Sequence, residues 1–320
     1  MKYTGEACSV EHIQSSQSET GKTIHTLVLE YPRAIHAQLL THRVFSKNSS
    51  SSRAVPVQKM MELIKQNPST VLWTYDQPGM QGKRITDVKE LSKVNFMHKA
   101  LADAVCNVLN MTLQHVKVHK QNLNRYLEPF QNIRVVLTST EWENWDWLRI
   151  DPDAQPEITE LANLVKQARD EAKPAILKEG QWHVPFVERM VANHDGDILY
   201  HVRKDAKTRQ FISLEEAKAI SASCCAQVSY RRLDNSFEKA MNIYDKLIKG
   251  NKVHASPFEH QATPIPSFED YGTYPSTEWP KGVTAMSRDM EYWSGNFQGF
   301  IQHRQLLQNH DGAKLTTAED

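Results

Sequence analysis

The chain has 320 residues, of which 40% are hydrophobic and 24% charged, and its 38 basic side chains equal its 38 acidic ones. A balanced charge disfavours a protein that coats nucleic acid, because such binding depends on a cationic excess. No apolar run is long enough to span a membrane, and residues 1–6 show no apolar signal region. The four cysteines form no CxxC pair, so a reducing cytoplasm is the expected location.

The first part of the chain predicts a strand followed by short helices. Residues 23–30 are rich in β-branched residues and Leu, which indicates a strand. Pro32 fits the start of a helix that continues over 34–40. The serine run at 49–52 breaks this helix and predicts a loop. Pro56 then opens another short helix.

The middle of the chain predicts one long helix and one amphipathic helix. Over residues 95–123, apolar side chains recur three or four residues apart, at Met97, Leu101, Ala104, Val108, Met111 and Val116. Residues 133–138 fit either a short strand or a buried helical segment, and periodicity does not decide between them. An amphipathic helix follows Pro156 and extends to residue 172.

The last third predicts three helices and a long loop. Ser213 and Glu216 form a capping-box pattern that opens one helix. The small residues around Cys224 and Cys225 indicate that these cysteines are buried where this helix packs in the core. A second, amphipathic helix is predicted over 236–249. Residues 261–285 are rich in Pro, Ser, Thr and Gly and predict an ordered loop. A final helix is expected to carry Phe297, Phe300, Ile301 and Leu306.

Residues 41–53, THRVFSKNSSSSR, are dense in cationic and hydroxyl groups. Arginine offers a planar fork of donors that suits phosphate, and serine hydroxyls both donate and accept hydrogen bonds. At a break between helix and loop, such groups can converge on an anion. From the residues alone, a flexible serine loop with two surface arginines is the alternative.

Residues 254–260, HASPFEH, place two imidazoles and a carboxylate around a Pro-Phe pair. The histidines are six positions apart, which is not the spacing of a helical zinc pair, and no third ligand is evident. No metal site is therefore predicted. A loop histidine and a capping Glu259 are the alternative to a binding role.

A third region, over 124–158, combines aromatic and polar side chains. On a helix, Trp145 and Arg149 share a face, whereas Asn144 and Arg149 do not. From the residues alone, this pattern favours an aromatic core with a surface arginine.

These regions resemble the signature segments of the flavin-dependent thymidylate synthases, the ThyX family. The first resembles the pattern RHRxxSxNExSxRY, with matches at His42, Arg43, Ser46, Asn48, Ser51 and Arg53 and departures at Thr41, Ser49 and Ala54. HASPFEH matches HxxPFEH, and residues 226–230 resemble ARVSY. The third region resembles two later family segments, with departures at Thr138, Thr140 and Asp153.

The matching segments occur in a rotated order, since the family's first segments, around Ser229 and His254, come last here. Circular permutation is physically tolerable because chain termini lie at the surface. The resemblance implies an α+β fold with a mixed or antiparallel sheet flanked by long helices, ThyX-like and circularly permuted. It also implies one catalytic domain over 1–320. Its parts would be nucleotide-binding motifs in 23–160, flavin-binding motifs in 213–263 and a C-terminal extension over 264–320.

The resemblance implies transfer of a one-carbon unit from methylenetetrahydrofolate to C5 of dUMP, with FAD and NADPH, in a homotetramer with shared active sites. It assigns Arg149 and Ser51 as catalytic. It assigns the nucleotide to Gln38, Ser51, Arg53, Arg125 and Arg149. It assigns FAD to His42, Arg43, Asn144, Ser229, His254, Ser256 and Glu259. Because Thr41 and Ser49 remove one cation and one carboxylate, another pyrimidine nucleotide, hydroxymethylation, or a non-catalytic flavin- or nucleotide-binding protein are the alternatives.

Overall fold

The computed structural model describes most of the chain. The described residues are 1–79, 82–192, 196–203, 208–228, 237–248, 253–266, 279–308 and 310. The strands are β1 Lys2–Thr4, β2 Ser9–Ser18, β3 Thr23–Pro32, β4 Ser46–Ser49, β5 Asn132–Ser139, β6 Ala175–Leu177, β7 Glu188–Val191, β8 Ile198–Arg203, β9 Arg209–Ile212, β10 Ala262–Pro264, β11 Ala285–Met286, β12 Tyr292–Ser294, β13 Phe297–Gln298 and β14 Phe300–Gln302. The α-helices are α1 His36–Leu40, α2 Val57–Gln66, α3 Val88–His115, α4 Lys120–Leu123, α5 Glu143–Arg149, α6 Pro156–Asp170, α7 Leu214–Gln227 and α8 Phe237–Ile248. The 3-10 helices cover Arg33–Ile35, Ser52–Ala54, Asn124–Phe130, Ser256–Glu259 and His303–Leu306.

A six-stranded sheet forms the centre of the described fold. Its strand order is β1-β2-β3-β5-β4, and β6 pairs with β2. The pairings are antiparallel except for the parallel pair of β2 and β6, which confirms the expected mixed sheet. β3 confirms the strand predicted over 23–30, and β5 shows that 133–138 is a strand. Smaller antiparallel sheets are formed by β7-β8-β9, β10-β14 and β11-β12-β13.

The two faces of the central sheet pack against different helices. On one face, Leu27 of β3 belongs to a buried cluster with residues of α1, α5 and α6, including Trp145. On the other face, Val28 and Val136 pack with Cys225 of α7. Successive side chains of a strand point to opposite faces. Because both faces are covered, β3 and β5 are apolar along most of their length.

Most of the predicted helices are present. Pro156 is the first residue of α6, where its missing N–H costs nothing. Ser213 and Glu216 form a reciprocal capping box at the start of α7. Cys224 and Cys225 are buried free thiols in that helix, as expected. None of the helices described here is both long and apolar enough to cross a membrane.

The long helix differs from the sequence prediction in its bounds and in the face that it buries. α3 begins after its N-cap Asp87 and ends at His115, so that residues 116–119 interrupt the helix predicted over 95–123. Its buried side chains, which belong to the same cluster as residues of α2, are Ala102, Cys106 and Leu109. The apolar repeat that predicted the helix is exposed instead, by 46–62% at Met97, Leu101, Val108 and Met111.

Three other predictions need correction. Residues 46–49 form β4, so the predicted serine loop starts inside a strand. Residues 297–306, expected to be a helix, form β13, β14 and a 3-10 helix. The φ angles of Gly295 and Gly299 are 60° and 72°, which is the left-handed region and incompatible with a continuous helix. The loop predicted over 261–285 contains β10, and part of it lies outside the described residues.

A chain of five buried polar side chains crosses the core on the α7 side of the sheet, and we call it the buried chain. Its members, in order of contact, are Ser16, His183, Thr26, Thr138 and His260. The successive hydrogen bonds are 2.7, 2.8, 2.7 and 2.8 Å long. Burial lowers the pKa of His260 to about 3 and that of His183 well below its usual value, so both rings are neutral. The buried chain therefore joins the sheet to two segments far away in sequence.

The hydroxyl of Thr138 provides a direct test of the buried chain, because it bonds to both Thr26 and His260. Thr138→Val keeps the shape but leaves His260 Nδ1 without its partner and removes one of the two hydrogen bonds of Thr26 Oγ1. We expect a loss of about 1–3 kcal/mol in the free energy of unfolding, measured by urea denaturation. Thr138→Ser, which keeps the hydroxyl, is the matched control. Equal stability of the Val and Ser variants would show that these hydrogen bonds contribute nothing.

Buried histidines predict a steep loss of stability in mild acid. Burial lowers the pKa of His25 and His260 to about 3, and that of His36, His42 and His303 to about 4. The same side chains titrate near 6.5 in the unfolded chain, so below this pH the unfolded state binds protons that the folded state excludes. The free energy of unfolding should therefore fall as the pH drops from about 6.5 towards 4, by about 1.4 kcal/mol per pH unit for each histidine.

The slope of this pH profile, and not its height, is the quantity to measure by chemical denaturation between pH 7 and pH 5. We expect a smaller slope in His303→Gln, because His303 is buried. The exposed His115 provides the control, and His115→Gln should keep the slope of the native chain. Identical slopes in the two variants would contradict the assignment of His303 as a buried neutral side chain.

Candidate functional site

The segment after α1 turns back into the sheet through specific local contacts. Thr41 Oγ1 donates to the carbonyl of Gln38 at 2.7 Å, at the end of the helix. Lys47 Nζ donates to the carbonyl of His42 at 2.6 Å. Between them, Phe45 is buried and stacks with the His42 ring, with a centroid distance of 5.6 Å. The strand β4 can then pair with β5, and its polar side chains lie along the edge of the central sheet.

Arg149 is held by residues of the first signature segment. Its Nε donates to His42 Nε2 at 3.0 Å, and its Nη2 donates to Thr41 Oγ1 at 3.1 Å and to the carbonyl of Gln38 at 3.2 Å. Its Nη1 lies 3.4 Å from Gln38 Oε1. Gln38 Nε2 in turn donates to Gln155 Oε1 at 2.6 Å. The guanidinium is therefore oriented by several contacts, and we call this group of residues the arginine cluster.

His42 is a neutral acceptor within the arginine cluster. Burial, together with the charges of Arg149 and Lys47, lowers its pKa to about 4, while a hydrogen bond with Asn144 acts in the opposite direction. Because Nε2 accepts from Arg149, the ring proton is assigned to Nδ1. The edge of the ring contacts Trp145 at a centroid distance of 4.9 Å. The helix α5 thus brings Asn144, Trp145 and Arg149 to the same histidine, although they differ in position around the helix.

A cavity of about 850 Å³, which we call the main cavity, lies next to β4. Four segments line it: β4, the end of α7, one face of α8, and residues 254–257. Its described lining consists of Lys47, Asn48, Ser49, Ala226, Gln227, Lys239, Ile243, Lys246, Leu247, His254, Ser256 and Pro257. Three lysines and no acidic residue belong to this described lining, so the cavity suits an anionic ligand with an apolar part.

Lys47 connects the arginine cluster with the main cavity. It lines the cavity, while its Nζ bonds to the carbonyl of His42. Burial lowers the pKa of Lys47, and the carboxylate of Glu259 opposes this effect. Among the residues that sequence reasoning assigned to FAD, His254 and Ser256 line the cavity, His42 belongs to the arginine cluster, and Asn144 interacts with His42.

Glu259 is engaged by the C-terminal extension. Its carboxylate forms an ion pair with the guanidinium of Arg304. Gln302 Nε2 donates to the carbonyl of Glu259 at 3.3 Å and to Ser46 Oγ at 3.1 Å. Residues 302–304 thus contact both signature segments. Sequence reasoning gave the extension no role, and no motif in it could have indicated one.

The residues predicted to bind phosphate lie on two segments that pack against each other, outside the described lining of the main cavity. Ser51 Oγ accepts from the backbone N–H of Arg53 at 3.3 Å. Asn124 Nδ2 donates to the carbonyls of Ser52 and Val55, which holds this turn against the 3-10 helix of 124–130. Arg53 and Arg125 are exposed and lie outside the described lining of the main cavity, and Arg43 is exposed as well. Ser229 lies outside the described residues.

Two lysines of the main cavity were missed by sequence reasoning. Lys239 and Lys246 are exposed side chains that line the cavity from the same side of α8 as Ile243. Their spacing of four and three residues places them on one side of a helix, which is the signal that could have found them. Within the described ranges, no group of three or more His, Cys, Asp or Glu side chains is placed to hold a metal ion.

Among solved structures, a UMP/dUMP methylase PolB from Streptomyces cacaoi bound with 5-Br UMP matches with a TM-score of 0.41 and 14% identity, over 51% of this chain and 89% of that one. Thymidylate synthase X from Helicobacter pylori, with FAD and dUMP, matches with a TM-score of 0.33 and 14% identity, over 46% of this chain and 67% of that one. The search of curated proteins found no match.

A family model provides the assignment. The model described as thymidylate synthase complementing protein matches residues 16–175, which is half of the 320-residue chain. The matched range contains the arginine cluster and β4, whereas the segments around Gln227 and His254 lie beyond it. The chain belongs to the thymidylate synthase complementing protein family.

Proposed function

We propose that this chain is a flavin-dependent thymidylate synthase-like enzyme, which transfers a one-carbon unit from methylenetetrahydrofolate to C5 of dUMP using FAD and NADPH. The observation that carries the proposal is the main cavity. Its lining joins β4, inside the matched range, with His254 and Ser256 of the second signature segment. These segments are about 200 residues apart in sequence, and their convergence on one cationic cavity supports a shared binding role.

The residues of the main cavity fit a flavin nucleotide. Lys47, Lys239 and Lys246 supply positive charge for its phosphates. Ile243 and Leu247 offer apolar contact for a ring system. When bound and reduced, the flavin would supply hydride to the reaction. As the resemblance implies, we assign the binding of FAD to His42, Arg43, Asn144, Ser229, His254, Ser256 and Glu259.

Arg149 is the best candidate for stabilising negative charge on the pyrimidine. Its hydrogen bonds to Gln38, Thr41 and His42 hold the guanidinium in one orientation. A donor that is oriented in advance stabilises developing charge without reorganising during the reaction. One N–H of Nη1 is not used by these contacts and is available to a ligand. Gln38, Ser51, Arg53 and Arg125 complete the proposed nucleotide site, with Ser51 near the phosphate end.

Thr41 has a structural role that suits its departure from the family pattern. Its hydroxyl accepts from Arg149 and donates to the carbonyl of Gln38. An arginine at this position would place a second cation beside Arg149. With threonine at this position, the site keeps one oriented guanidinium, that of Arg149. The preferred pyrimidine nucleotide and the product, methyl or hydroxymethyl, are determined by the turnover assay.

The proposal also covers the organisation of the protein. We place one catalytic domain over 1–320, with circularly permuted motifs, in a homotetramer in the cytoplasm. The contacts of Ser46 with Gln302 and of Thr138 with His260 support the permuted arrangement, because they join early and late segments around one site. The exposed apolar repeat of α3 offers a surface for contact between copies.

Retention of flavin tests the proposed cofactor site. The purified chain should show flavin absorption bands that persist through desalting after FAD is added. His254→Ala and the double variant Lys239→Ala/Lys246→Ala should bind FAD at least roughly tenfold more weakly, because each loses polar contacts in the main cavity. Lys59→Ala, on the exposed side of α2, is the matched control. A chain that retains no FAD, or variants that bind it as the native chain does, would refute the cofactor assignment.

Turnover tests the role of Arg149. In an assay with dUMP, methylenetetrahydrofolate and NADPH, Arg149→Lys should lower kcat by roughly 100-fold, because lysine lacks the oriented fork. Arg84→Lys, a surface arginine that pairs with Glu6, should leave kcat unchanged. The assay follows release of the C5 proton and identifies the product by mass, which separates methyl from hydroxymethyl transfer. Bound ligand without proton release in the native chain would indicate a non-catalytic binding protein.

A further inference from the structure

A second cavity, of about 510 Å³, lies where β2 meets β7. Its described lining shares no residue with that of the main cavity. The charged and titratable side chains that face it are Glu11, His12, Lys173, Glu188 and Arg189. Two of these, Glu188 and Arg189, belong to residues 174–212, which have no counterpart in the signature segments.

Arg189 is the central feature of the second cavity. Its Nη1 donates to Ser16 Oγ at 2.8 Å and its Nη2 donates to the carbonyl of Ser15 at 3.0 Å. Both acceptors are neutral, and no carboxylate of the described residues forms an ion pair with this guanidinium. Burial lowers its pKa to about 10. A half-buried cation that has no counter-ion among the described residues is partly withdrawn from water, which favours binding of an anion beside it.

The acidic residues of the second cavity are paired elsewhere. Glu188 forms an ion pair with Arg203 at 2.6 Å. Glu11 lies 3.6 Å from the guanidinium of Arg134. These two carboxylates are thus compensated by arginines that do not belong to the described lining of the cavity. The charge that the cavity offers to a ligand is therefore positive.

Two further side chains extend the polar surface around Arg189. Lys173 is exposed at the cavity, and no ion pair joins it to another described residue. His12 Nε2 lies 2.6 Å from Ser15 Oγ, and burial lowers the pKa of its ring. The site thus combines an oriented guanidinium fork, an exposed ammonium group and a neutral imidazole.

We propose that the second cavity binds a small ligand with an oxyanion group, a carboxylate or a phosphate, between Arg189 and Lys173. The remaining N–H donors of Arg189 match two oxygens of such a group, and Lys173 supplies a second positive charge. The fork is oriented in advance because Ser16 and Ser15 already hold two of its N–H groups. This site does not depend on the function proposed above, since it shares no lining residue with the main cavity.

Anion binding by the full-length chain tests the proposal. Inorganic phosphate and succinate are titrated by calorimetry, in a chloride buffer of constant ionic strength, so that the two oxyanion classes are compared directly. Two of the three lysines of the main cavity are removed in a Lys239→Ala/Lys246→Ala background, because they would also bind anions. We expect saturable binding of at least one of the two anions in this background.

Variants of the second cavity decide whether this binding occurs there. Arg189→Met should abolish it, Arg189→Lys should weaken it by roughly tenfold because the charge remains without the fork, and Lys173→Ala should weaken it several-fold. Since Lys173 is exposed, that variant keeps the test valid even where a change at Arg189 disturbs folding. Absence of binding in the lysine background, or binding that Arg189→Met and Lys173→Ala leave unchanged, would overturn the proposal.

Discussion

The buried chain is the interaction on which the arrangement of this molecule depends. Thr26 and Thr138 lie on adjacent central strands, at paired positions, and their hydroxyls reach His183 on one side and His260 on the other. Polar groups buried in a core must be paired, so the two histidine-bearing segments can dock well only in this register. The backbones of His183 and Ala262 also exchange hydrogen bonds of 2.8 and 3.1 Å. The second signature segment is thereby fixed at the sheet.

This constraint explains how separate segments form one cationic cavity. With His260 fixed, the preceding residues His254 and Ser256 line the main cavity beside Lys47 of β4. Lys47 in turn contacts His42, whose neutral ring orients Arg149. A continuous series of contacts therefore connects the core of the sheet with the proposed site. Loss of the hydrogen bonds of Thr138 would therefore disturb the position of both signature segments.

Local sequence patterns predicted well the elements that depend on neighbouring residues, and poorly the elements that depend on contacts far apart in sequence. The capping box of Ser213 and the spacing after Pro156 depend on neighbours in sequence, and α7 and α6 are where they were expected. The strand over 46–49 exists because it pairs with β5, about 90 residues later, which no local pattern of serines shows. The apolar repeat of α3 gave the helix but not its buried face, because Ala102 and Cys106 allow closer packing on α2 than larger side chains would.

The candidate site shows the same division, and its charge depends on a residue outside the resemblance. Motif matching pointed to His254, which lines the main cavity, but it pointed neither to the lysines of α8 nor to Arg304, which pairs with Glu259. An unpaired carboxylate at Glu259 would offset the positive field of Lys47, since the two groups interact. Arg304 compensates that carboxylate, so the lysines keep their effect on an anionic ligand. The C-terminal extension therefore contributes, through Arg304, to the charge balance beside the main cavity.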